Sequence, residues 1–122
     1  MTIIQAINRI DNLKYNTYST AEKVAWLSTV DAMVQTQVVN ANRGKKGGSV
    51  CYDPDTDLDT ELLVQAPFDE MYLRWMEAQM DYANGELDKY NNAMEMFRAV
   101  FDSYSNWYTR THMPASRPIR FF

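Results

Sequence analysis

Residues 87–108 read LDKYNNAMEMFRAVFDSYSNWY. Within them Leu87, Tyr90, Met94, Phe97, Phe101, Tyr104 and Tyr108 recur at intervals of 3, 4, 3, 4, 3 and 4. That is the repeat of a helix packed lengthwise on another helix. Ala93, Met96, Val100 and Trp107 form a second stripe beside the first. Two adjacent stripes mean burial on two sides. One side faces the second and third helices, the other the first helix or a neighbouring copy. No Gly or Pro interrupts Glu86 to His112, so the helix can approach ~40 Å at 1.5 Å per residue. Met113-Pro114 stops it.

Upstream, Asn84-Gly85 is a tight connection with Gly85 as the left-handed cap of a third helix. The last two helices are therefore an antiparallel hairpin. Pro67 opens the third helix at a position that favours proline, and Asp69 and Glu70 suit its N-terminal dipole. Its stripe is Phe68, Met71, Tyr72, Trp75, Met76, Gln79, Tyr82 and Ala83. Ser19-Thr20-Ala21-Glu22 is a capping box for the second helix. Val24, Leu27, Val34 and Val38 line one side of that helix, widened by Trp26, Val30 and Met33. Ile3, Ile4, Ile7 and Ile10 make a short first helix with Thr2 as its cap. Its β-branched residues have low intrinsic propensity, so it must lean on its neighbours.

These signals predict one all-α, four-helix bundle-like domain over 1–114, with helices at about 3–12, 20–39, 67–84 and 86–112 and a tail at 115–122. Between helices two and three, residues 40–66 form either an irregular loop or a small hairpin. In the hairpin, Ser49 to Tyr52 would pair with Leu62 to Val64.

The 122 residues suffice for one core without disulfides or metals. Cys51 is the sole cysteine, and nothing points to an oxidising compartment. The start lacks a basic and then a long apolar segment, so it does not read as a signal peptide. No apolar run approaches the ~20 residues that span a bilayer. Eight Met, eight Tyr and three Trp suit either an adaptable interface or an unusual core.

The net charge of −4 argues against general nucleic-acid affinity. From Cys51 to Tyr90, eleven acids meet only Arg74 and Lys89. After Asp102 there are no acids, but Arg110, His112, Arg117 and Arg120 follow. Such asymmetry fits head-to-tail contact between copies, and equally a solvated face with a basic tail.

No catalytic grammar is present. His112 is the only histidine. Gly44-Lys45-Lys46-Gly47-Gly48 lacks phosphate-loop spacing. Asp53 to Glu61 resembles the start of a calcium loop. It has Leu58 where glycine is needed and Val64 where a bidentate Glu is needed. The third helix, with one Arg among acids, is a poor DNA-recognition helix. No cofactor, metal site or small-molecule substrate is expected.

The order of features resembles the small head–tail connector (head-completion adaptor) proteins of tailed phages and prophages, of the Firmicutes siphophage type. The residues carrying this are Ala21-Glu22-Lys23-Val24-Ala25-Trp26-Leu27-Ser28-Thr29-Val30-Asp31 and the run from Asp59 to Tyr72. Asp81-Tyr82-Ala83-Asn84-Gly85-Glu86, Tyr90-Asn91-Asn92 and Trp107 to His112 complete it. The resemblance spans roughly Ile3 to His112 and implies a virion protein assembled in the host cytoplasm. It implies a non-enzymatic ring subunit that extends the DNA channel, touching the portal, tail-side connector proteins and copies of itself. Arg117, Ile119, Arg120, Phe121 and Phe122 are candidates for docking a partner, because phenylalanines flanked by Arg are sticky if left in solvent. Arg43, Lys45 and Lys46 are candidates for non-specific contact with channel DNA. The competing expectation is a small helical phage-encoded regulator that binds a host protein.

Overall fold

The structure, a computed structural model, describes residues 1–39 and 51–111. Among these residues there are four helices and no strand. The helices are α1 (Ile3–Leu13), α2 (Thr20–Val34), α3 (Glu70–Ala83) and α4 (Leu87–Thr111). The chain is thus all-α with a long C-terminal helix, as its periodicity predicts. Residues 51–69 are irregular, with a single isolated bridge between Thr2 and Glu61. Of the two forms expected for the connection between α2 and α3, its described half takes the loop.

The helix signals operate largely as read. Thr2 caps α1 in a full capping box: its hydroxyl accepts from Gln5 N–H, and Gln5 Oε1 accepts from Thr2 N–H. Ser19 Oγ accepts from Glu22 N–H at the start of α2. Gly85 sits at φ +76°, where a side chain would be strained. Around it, Glu86 N–H donates to Asp81 O and Gly85 N–H to Tyr82 O. This is the double-bonded left-handed helix end that satisfies two orphan carbonyls.

Two boundaries differ from expectation. Helix α2 does not run as regular α-helix to residue 39; Gln35–Val39 widens into a π-helical turn that keeps Val38 buried. Pro67 does not open α3, which begins at Glu70. Phe68 N–H donates to Gln65 O and Met71 N–H to Phe68 O, so tight turns occupy the stretch before the helix. The chain is pinned just upstream by buried Leu62 and Val64, which fixes its entry direction.

Helix α3 is central. It packs on α1, α2 and α4, and buries Leu73, Ala78 and Met80 as well as Met71, Tyr72 and Met76. Tyr82, expected inside, is 62% exposed. The α3–α4 seam is an aromatic ladder. Tyr82–Tyr90, Trp75–Phe97 and Phe68–Tyr104 meet edge-on or tilted at ring distances of 5.2, 5.1 and 5.5 Å. Each pair lies seven residues along from the last in both segments, with Phe68 in the turn just before α3, which fixes the antiparallel register. On α4, Ala93, Phe97, Tyr104 and Tyr108 are buried, whereas Leu87 is 58% exposed. Helix α1 buries Ile3, Ala6, Ile7 and Ile10 completely or nearly so. Each isoleucine contributes about 1.5–3 kcal/mol, which compensates their low helix propensity.

Candidate interaction surface

The sequence-derived candidates Arg43, Lys45, Lys46, Arg117, Ile119, Arg120, Phe121 and Phe122 lie outside the described residues, as does His112. Their charges still bear on the described body. All sixteen acids of the chain fall within residues 1–39 and 51–111, opposed there by seven Lys and Arg. The described body therefore carries −9, while 40–50 and 112–122 hold five basic residues and no acid.

Three buried charged groups organise the interior. Lys14 Nζ lies 2.5 Å from Asp81 Oδ1, and Asp81 is 2% exposed. Lys23 Nζ lies 2.6 Å from Asp11 Oδ1. Burial opposes ionisation of Asp11, but hydrogen bonds from Lys23 and Asn16 and the charge of Lys23 hold its carboxyl below the ordinary value. These pairs, with Tyr18 OH donating to Asn84 Oδ1 at 3.1 Å, seal the α1–α2 connection onto the end of α3.

The third group is Asp31, fully buried and without a cation partner among the described residues. Tyr72 OH donates to Oδ1, while Tyr52 OH and Leu63 N–H donate to Oδ2. Tyr72 OH in turn accepts Val64 N–H at 2.8 Å. Burial raises the Asp31 carboxyl above its ordinary range, against the lowering effect of those three donors. Burial and the neighbouring Asp31 charge push both tyrosines far up, so their hydroxyls stay protonated donors. Sequence reading missed this node. Its signal was a gap: Val24, Leu27, Val34 and Val38 follow the 3–4 repeat only if position 31 completes it, and position 31 is Asp.

Among the described residues no three His, Cys, Asp or Glu side chains converge to hold a metal ion. In the calcium-like run, one carboxylate oxygen each of Asp53 and Asp57 caps a backbone turn, accepting from Asp55 N–H and Asp59 N–H. Cys51 is exposed.

What the surface does offer is apolar. Helices α2 and α4 flank α3 and leave a groove of about 390 Å³ between them. Met33, Gln37, Trp75, Met94, Phe97 and Phe101 line it, with Arg98 and Asp102 among its polar residues. Trp75 Nε1 is buried with no hydrogen-bond partner among the described residues. At the α3–α4 turn, Tyr82 and Leu87 are exposed, and Leu13 and Tyr15 are exposed at the C-terminal end of α1. No described helix is long and apolar enough to cross a membrane. No family model, curated protein or solved structure matches the chain.

Proposed function

We propose that this chain is a structural adaptor subunit of a tailed-phage head–tail connector, a virion protein that packs as a ring of copies between portal and tail. The phage assignment rests on the sequence resemblance described above. The assembly role is carried by one observation: the apolar groove floored by Trp75 and Phe97, open between α2 and α4. A groove lined by partly buried aromatic and methionine side chains suits a subunit interface. The charge layout supports a heterologous contact, acidic body against basic segment, which closes a ring when its rotation permits. In this reading Arg117 to Phe122 dock onto the portal or a neighbouring copy, and Arg43, Lys45 and Lys46 face the DNA channel.

The test is reconstitution. The purified chain is mixed with the portal protein encoded beside it, and the product is followed by sedimentation and negative-stain imaging. A ring added to the portal is expected, and Phe101→Glu is expected to prevent it while the helical signal in circular dichroism is kept. Absence of any association between the wild-type chain and the portal refutes the assignment.

A further inference from the structure

Residues 51–64 lie across the helical body without joining a ladder, and they are held at a few discrete points. At one end, Tyr52 N–H donates to Ser28 Oγ at 2.9 Å and Tyr52 OH to Asp31. At the other, Leu63 N–H reaches the same Asp31 carboxylate, and Val64 N–H reaches Tyr72 OH. Between these, the carbonyls of Leu58 and Thr60 accept Ile4 N–H and Ile3 N–H. Those are first-turn donors of α1, which have no partner within their own helix. Buried Leu62 and Val64 supply the apolar anchors.

Both ends of the segment thus converge on one carboxylate, on α2, that belongs to neither end. The stretch between them works against closure. Asp53, Asp55, Asp57 and Asp59 are exposed, and no Lys or Arg side chain among the described residues pairs with them; Glu61 is held by the N-terminal ammonium of Met1 at 3.3 Å. They sit on a body that is itself acidic, so like charges repel along the segment and across it.

We propose that residues 51–64 form a releasable strap latched to the helical body through Asp31, opening as a unit while α2, α3 and α4 stay packed. Opening frees the Ile3 and Ile4 N–H groups and vacates the seats of Leu62 and Val64. The inference does not depend on the chain's being a connector subunit, since it rests on the latch alone.

Native-state hydrogen exchange of the full chain, read residue by residue, tests it. Tyr52→Phe removes a single hydroxyl from a half-buried ring and leaves Asp31 two donors, so the fold is retained. The expected result is that Ile3, Ile4, Leu62, Leu63 and Val64 accelerate together by about tenfold, the loss expected for one hydrogen bond to a charged group. In wild type these five amides exchange faster than those of the α3 interior, Met76 and Met80, and with a smaller urea dependence, as an opening smaller than global unfolding requires. Asp31→Asn is expected to accelerate the same five amides further. Unchanged strap rates in Tyr52→Phe, or strap amides that share the protection and urea dependence of Met76 and Met80 in wild type, overturn the proposal. So does global unfolding of Asp31→Asn, because the carboxylate would then hold the whole fold rather than the strap.

Discussion

Replacing Tyr72 by Phe removes one oxygen atom and breaks two buried contacts. The ring is fully buried between α2 and the strap, so the packing is kept. The hydroxyl, however, is both a donor to Asp31 Oδ1 and the acceptor of Val64 N–H. Losing a hydrogen bond to a charged group costs about 1.5–3 kcal/mol. Leaving Val64 N–H buried and unpaired adds about 1–3 kcal/mol. Relief from desolvating the hydroxyl offsets part of this, so the net cost is about 3 kcal/mol. Against a total of about 5–15 kcal/mol for a domain, that is a large fraction. For a chain of this size it lowers Tm by roughly 10 °C. With a urea slope of about 1.5 kcal/mol/M, the midpoint falls by about 2 M. Urea titration followed by circular dichroism measures it. A midpoint shift of less than about 0.5 M at unchanged slope would refute the bridging role of the hydroxyl.

Two further outcomes follow from the same geometry. Because burial raises the Asp31 carboxyl above its ordinary value of 3.8, the folded state holds that proton more tightly than the unfolded chain. Its contribution is therefore fully present below the unfolded value and is lost as pH rises through the folded one. Tyr52 and Tyr72 face the carboxylate and Tyr104 feels its charge, and all three remain neutral over this range. The stability of wild type relative to Asp31→Asn is expected to fall from pH 4 towards pH 8 in paired urea titrations; a flat or rising difference contradicts the assignment. Gly85→Ala is expected to cost about 1 kcal/mol, since a Cβ there meets nothing within 4 Å and the penalty comes from the left-handed backbone alone. Thermal unfolding checks it, and an unchanged Tm would mean that the turn relaxes.

The candidate surface was legible only in part. The stripes on α4 named Phe97 and Phe101 as contact residues, and Trp75 was placed on α3's apolar side. The groove between them depends on how far α2 diverges from α4 across α3, which no local pattern encodes. Residue 31 shows the same limit more sharply. Its break in the α2 repeat was visible in the sequence, but its donors lie 21, 32 and 41 residues away.

The sequence by itself determined the presence of the four helices, the caps at Thr2, Ser19 and Gly85, and the α3–α4 hairpin. Helix periodicity, Ser19, Thr2 and Gly85 act within a few residues, and the heptad pairs Tyr82–Tyr90, Trp75–Phe97 and Phe68–Tyr104 follow once the turn is set. Only the tertiary structure decided that α3 is central, so that Met80 and Asp81 are buried where the stripe placed Tyr82. Only it decided that an acidic, loop-like run is a strap tied to a buried carboxylate. A buried charge is tolerated when donors from distant segments meet it, and sequence spacing carries no record of which distant segments those will be.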